Sequence, residues 1–329
     1  MIDTHSHIYL KDFAEDRAEM LQRAREAGVE KVYLPNIDAS SMASLKALAD
    51  AETNCIPMMG LHPGSVKENW EKELETILSD IDQNPGYYKA IGEIGMDLYW
   101  DKTFVKEQEI AFARQIEKAL ELQLPIVIHC REAFNEIFAV LEDYRGKGLY
   151  GIFHCFTGTA EQAQHAIDLG LKLGIGGIVT FKNAGLDKVV EQLNPRHIVL
   201  ETDAPYLAPD PKRGKRNEPA FLAALTHRGG LRSGMGHALA AASKAKGLAM
   251  VPGMRGIDFV EELAAVRAGL EDLEHVLGVT GPGFPLFTGR PETGPGALHI
   301  QLAPLSGEEN HRLLEAGLPV DPGAGGPRG

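Results

Sequence analysis

Read for its alternation of apolar and polar positions, the first 203 residues repeat one pattern eight times: a short apolar run, then a longer amphipathic segment. The apolar runs lie at 1–7, 30–36, 55–62, 88–95, 124–130, 151–156, 171–179 and 197–203. Most are rich in Ile, Val, Leu or aromatic residues and are bounded by Gly, Pro or Asn, as strands of a buried parallel sheet should be. Between them the spacing predicts helices over 11–27, stopping at Gly28, over 104–122, and over 184–193 before Pro195. Thr159 and Gln162 have the spacing of a capping box, opening a helix that runs to Gly170. Eight βα units in roughly 200 residues sit at the lower size limit of a (β/α)₈ TIM barrel, an α/β fold. A doubly wound open sheet is the alternative, and the two differ in whether the first and last strands pair.

The pattern breaks after residue 222. The following text, LTHRGGLRSGMGHALAAASKAKGLAMVPGMRG, has neither period 2 nor a sustained helical period, and more than half of the 36 glycines fall in the last third. We therefore expect a barrel over 1–222 and a Gly/Pro/Ala-rich, poorly ordered extension over 223–329, with one helix at 258–277.

Composition narrows the function classes. The 329 residues carry a formal net charge of -13, which argues against a surface that is basic throughout for gripping nucleic acid. It leaves room for local phosphate handling, because bound cations bring their own charge. Cys55, Cys130 and Cys155 have no CxxC spacing and cannot build a disulfide framework. No basic leader and no apolar stretch of membrane-spanning length is present, so the expectation is a cytoplasmic protein without membrane attachment.

The chemistry gathers at the predicted C-terminal ends of the strands, the face on which barrel active sites sit. If 2–7 is a strand, Asp3, His5 and His7 share one face. Strand 3 ends at His62 in GLHP, strand 4 carries Glu93 in IGEIGMD, and strand 5 ends at His129, followed by Arg131. His154 and Asp203 close strands 6 and 8. Singly, each has a plainer reading: a surface His pair, a satisfied buried carboxylate, a core imidazole. Of these, four imidazoles with Glu93 and Asp203 make the ligand count for two metal ions sharing a carboxylate. Asp203 could ligate one ion and accept the proton of an attacking water. Strand alternation turns Cys130 and Cys155 away, into packing, while Glu201 and Asp3 lie deeper, in supporting positions.

The ordered motifs MIDTHSHI, GLHPG, AIGEIGMDLYW, LPIVIHCREAF, GIFHCFTG, LGIGGIVTFKN, VLETDAPYLAP and KRNEP resemble those of the TatD family of metal-dependent deoxyribonucleases, from residue 1 to about 222. The resemblance implies a TIM barrel of the metal-dependent hydrolase type, with metal held by His5, His7, Glu93, His129, His154 and Asp203 and with Glu93 bridging two ions. It also implies phosphodiester cleavage of DNA, typically 3′→5′ on single strands, with magnesium, although four imidazoles suit zinc or manganese better. No stable protein partner is implied. Phosphate contacts are expected from His62, Arg131, and Lys215 and Arg216 of PKRGKR, a stretch that could equally be a solvated loop; Lys182 is a weaker candidate. Tyr99, Trp100 and Tyr206 would stack a base or wall the pocket. A glutamate where related amidohydrolases carry a carboxylated lysine leans the reading away from amides. The alternatives are ester or amide hydrolysis at the same site, as by an aminoacyl-tRNA deacylase or an amidohydrolase, and an inactive barrel destabilised by its altered C-terminal third.

Overall fold

The computed structural model describes residues 1–226. All eight expected strands are present and parallel: β1 (Ile2–Asp3), β2 (Lys31–Leu34), β3 (Cys55–Pro57), β4 (Ile91–Asp97), β5 (Ile126–Arg131), β6 (Gly151–Phe153), β7 (Leu171–Ile175) and β8 (Ile198–Leu200). They hydrogen-bond in sequence order as a run of three and a run of five. Two seams join the runs. Met59 bridges to Ile91, with Gly92 N–H donating to the Met59 carbonyl at 3.0 Å. Thr4 N–H donates to the Leu200 carbonyl at 3.1 Å, which ties the first strand to the last. That closure selects the barrel over the open sheet.

The helices are α1 (Arg17–Glu26), α2 (Met42–Ala51), α3 (Trp70–Gln83), α4 (Val105–Leu122), α5 (Phe134–Glu142), α6 (Ala160–Asp168), α7 (Leu186–Val190) and α8 (Leu222–Thr226). The segment expected to be one helix over 11–27 divides into a 3₁₀ turn at Lys11–Phe13 and then α1. The capping box forms as expected: Thr159 accepts from Gln162 N–H, and the Gln162 side chain accepts from Thr159 N–H. The helix expected at 258–277, like the rest of the extension beyond 226, lies outside the described residues.

Strand alternation sorts the core into two layers. Val32, Leu34, Ile126 and Ile128 belong to the large cluster packed beneath the helices. The residues between them, Tyr33 and Val127, join Met58 and Ala90 in a separate cluster inside the barrel. By the same alternation His129 and Arg131 follow Val127 on the inner face of β5, toward the barrel mouth.

Candidate metal centre

The short strands matter for the site. β1 ends at Asp3, so His5 and His7 are not on a strand, as expected from the run 2–7, but on the turn beyond it. That turn is held by Ser6 N–H donating to the Tyr33 carbonyl and His7 N–H to the Ala204 carbonyl at 2.7 Å. Asp3 is fully buried and accepts from His5 N–H, Thr202 N–H and the Thr202 hydroxyl, so it shapes both site turns. Burial pushes its carboxyl up to about 8.

Glu93 reaches the interior through a bulge. The pairing of β4 with β5 shifts register between Gly92 and Ile94, leaving Glu93 as the extra residue. Its neighbours must be small. A Cβ at Gly95, whose φ is +133°, would strike the His129 carbonyl, and one at Gly92 would meet the Val127 side chain at 2.7 Å.

The Glu93 carboxylate, 2 % exposed, then divides the imidazoles. Oε2 lies 3.2 Å from His5 Nε2 and 3.4 Å from His7 Nε2. Oε1 lies 2.7 Å from His129 Nδ1, 3.5 Å from His62 Nε2 and 3.7 Å from His154 Nε2. Asp203 Oδ1 completes the group at 3.6 Å from His7 Nε2, 3.9 Å from His5 Nε2 and 4.0 Å from His154 Nε2. Three donor triplets result: His5, His7, Glu93; His62, Glu93, His129; and His5, His154, Asp203. The expected ligands thus converge, drawn from positions 5 to 203.

What stands behind each ring decides which nitrogen has a free lone pair. The Tyr9 hydroxyl donates to the Pro35 carbonyl at 2.7 Å, so its contact with His7 Nδ1 at 3.1 Å is one in which the imidazole donates. His7 Nε2 therefore offers its lone pair to the centre. The Asp97 carboxylate takes His129 Nε2–H at 3.1 Å and leaves Nδ1 facing Glu93. Glu201 Oε1 lies 3.0 Å from His154 Nδ1, leaving Nε2 facing Glu93 and Asp203. Such backing by a carboxylate or hydroxyl is the usual support of a metal-ligating histidine.

His62 is the exception. Its Nδ1 accepts from Gly64 N–H at 2.9 Å, which puts the ring proton on Nε2, the nitrogen that faces the cluster. Although it lies within a donor triplet, its geometry suits donating a hydrogen bond rather than ligating.

The electrostatics agree with a centre built for cations. For Glu93, burial works to raise the pKa, but the imidazoles of His62 and His5 overcome it and hold the group well below the carboxylate range. Burial, reinforced by His154, holds His5 well below the usual imidazole range. Burial opposes protonation of His154 and His129 as well. Glu201 nevertheless carries His154 up to about 10, and Asp97 with Glu93 carries His129 up to about 9. Asp203 is pushed up to about 6, mainly by burial. The donor set fits divalent ions, its nitrogen and carboxylate oxygen atoms lying within 4.8 Å of one another in each group.

Two further expectations change. Cys155 is not turned away. It lies past the end of β6 with φ +44°, where strand alternation no longer applies, and groups with His154 and Glu201 while its N–H donates to Glu201 Oε1 at 2.7 Å. Arg216 does not reach the cluster. Its guanidinium is held by Asp16 at 2.6 and 2.7 Å and covers the Phe13 ring at 4.5 Å, so it ties the loop after β8 to the first helical segment. Lys215 and Lys182 are exposed, without a side-chain partner among the described residues. Arg131 is exposed at the end of β5, its guanidinium 3.8 Å from the Tyr99 ring centre. Tyr9 and Asp97 were missing from the sequence reading.

The family model described as TatD related DNase matches residues 2–228. The chain belongs to the TatD-related DNase family. It is 34 % identical over 223 residues to the uncharacterized metal-dependent hydrolase YabD of Bacillus subtilis, covering 68 % of this chain and 87 % of that one. It is 35 % identical over 229 residues to the 3′-5′ ssDNA/RNA exonuclease TatD of Pantoea vagans, with the same coverage. The crystal structure of the TatD homolog YjjV from Escherichia coli superposes with a TM-score of 0.67 at 29 % identity, over 74 % of this chain and 96 % of that one. The chain is thus a metal-dependent hydrolase of the TatD type on the barrel scaffold. No helix among the described residues is long and apolar enough to cross a membrane.

Proposed function

We propose that this TatD-family hydrolase cleaves phosphodiester bonds of DNA, trimming single strands from their 3′ ends. The observation that carries the reading is the division of Glu93, one carboxylate oxygen toward His5 and His7 and the other toward His129 and His154. In this reading His5, His7, Glu93, His129, His154 and Asp203 would hold two divalent ions. Ions bound there would supply Lewis acidity toward water and the phosphoryl oxygens. Asp203, its side chain 13 % exposed, accepts the proton of the attacking water. His62 Nε2–H and the Arg131 guanidinium hold non-bridging phosphate oxygens. The water oxygen bonds to phosphorus as a P–O ester bond breaks, and the leaving oxygen takes up a proton from Asp203 or from solvent. The name of the Pantoea relative supports a nucleic-acid substrate. The nitrogen-rich donor set favours zinc or manganese, and the family resemblance favours magnesium.

The test is an assay of 5′-labelled single-stranded DNA beside a panel of esters and amides, with magnesium, manganese or zinc supplied in turn. A ladder of strands shortened from the 3′ end is expected. Amide or ester hydrolysis without strand cleavage would overturn the reading.

A further inference from the structure

Beside the metal centre, the loop after β4 places two aromatic rings in the open: Tyr99 is 46 % exposed and Trp100 76 %. Their centres lie 4.7 Å apart at 88°, so each presents a different face. Arg131 binds the pair together, its guanidinium 3.8 Å from the Tyr99 ring centre and 5.1 Å from that of Trp100. Its guanidinium makes no hydrogen bond or ion pair with another described residue, so its N–H groups stay free while its flat face is occupied. The unit is fixed to the centre at two points. Tyr99 N–H donates to Asp97 Oδ1 at 3.0 Å, and the other oxygen of that carboxylate takes His129 Nε2–H. Arg131 itself lies two residues beyond His129 on the inner face of β5.

Exposing an indole so fully in water serves no packing purpose, and Arg131, which the ring meets, lies two residues beyond His129. A flat, uncharged aromatic ligand would cover it. A guanidinium with unused N–H groups beside that ring calls for an anion attached to the same ligand. A base and its own phosphate meet both demands.

We propose that Trp100, braced by Tyr99 and Arg131, is the seat of an unpaired nucleobase next to the phosphodiester being cut. This inference rests on the phosphodiesterase reading above and adds the means of substrate selection. A base can lie on Trp100 only when it has left its partner strand, so the seat makes the enzyme choose single strands without reading sequence. Arg131 then serves phosphate with its N–H edge while Tyr99 keeps the guanidinium plane in place.

The test compares two 3′-terminal substrates, an ordinary single-stranded oligonucleotide and the same strand lacking the bases of its last two nucleotides. They are assayed with the metal-loaded full chain and its Trp100→Ala and Trp100→Phe variants. Trp100 is chosen because Tyr99 N–H supports Asp97, whereas the indole, 76 % exposed, has ring contacts with Tyr99 and Arg131 alone among the described residues. The intact chain should favour the strand with bases by about tenfold in kcat/KM, chiefly through KM. In Trp100→Ala the ratio should fall toward one, and Trp100→Phe should restore most of it. An unchanged ratio in Trp100→Ala would overturn the seat while leaving the phosphodiesterase reading standing. Failure of the intact chain to cut either strand with any metal would overturn that reading, and the seat with it.

Discussion

His7 and His62 carry the same ring and face the same carboxylate, yet their far nitrogens are engaged in opposite senses. The Tyr9 hydroxyl accepts a hydrogen bond from one, and the Gly64 amide donates one to the other. The two should therefore fail differently. His129→Ala and Asp203→Asn are expected to lower kcat on the order of 10³-fold. Metal analysis of the purified protein should show less bound metal in His129→Ala. His62→Ala should keep its metal and raise KM. His165→Ala, whose ring pairs with Glu142 on the surface, should behave as the parent does. Asp97→Asn should weaken metal affinity by about 10- to 100-fold, measured by titration calorimetry, because His129 loses its carboxylate backing. The sequence made the donors readable because histidines ending apolar runs are conspicuous. Their supports were harder to see. Asp97 stands at an even spacing from Glu93, a usable signal; Tyr9 lies on a turn, where no periodicity announces which ring it meets.

At the scale of elements, one helix positions two strand ends. Gln108 and Gln115, seven residues apart on the buried face of α4, each pair with a backbone amide and carbonyl, those of Asp97 and of Leu61 respectively. Gln115→Leu would leave the Leu61 N–H without its partner just before His62, at a cost of about 1–3 kcal/mol in denaturant unfolding. Thr159→Ala, which removes the cap of α6, should cost about 1 kcal/mol in the same measurement. The capping box was legible because its residues lie side by side in the text. Strand lengths were not. The apolar runs of six to nine residues hold strands of two to seven, since the runs continue into turns where inner-face residues serve the site rather than the ladder. The bulge at Glu93 could not be foreseen, because it depends on the register with β5.

For the molecule as a whole, the barrel is closed by polar contacts between distant parts of the chain. Arg23 on α1 pairs with Glu218 at 2.7 Å, and Asp16 joins Arg23 to Arg216. Glu218→Gln should lower stability by about 1 kcal/mol, the modest figure reflecting the partly exposed arginines. The Arg216 and Arg23 side chains hold Asp16 below the usual carboxylate range. Its contribution is therefore complete above about pH 4 and is lost as pH falls through the lowered value. The metal centre has the opposite sense. In chelator-treated protein His129 and His154 keep their protons up to about 9 and about 10. The stability they give is full below about pH 6.5, the value for free imidazole, and disappears as pH rises through those higher values. Thermal melts of the chelated protein should show Tm falling between about pH 6.5 and 10. Metal uptake at neutral pH should release protons, seen as a calorimetric heat that varies with the ionisation enthalpy of the buffer. The closed eight-stranded architecture was legible as a count of repeats; its two seams were not, because each joins segments that the text does not place together.

The seam at Thr4 and Leu200 also sets an order of events during synthesis. His5 leaves the ribosome nearly two hundred residues ahead of Asp203, and the Asp203 amide donates to the carbonyl of His5 itself. The earliest imidazoles must wait for almost the entire barrel to be translated before their last carboxylate partner arrives. If these side chains hold the metal as proposed, its capture is thus a late, chain-wide event in the birth of this enzyme.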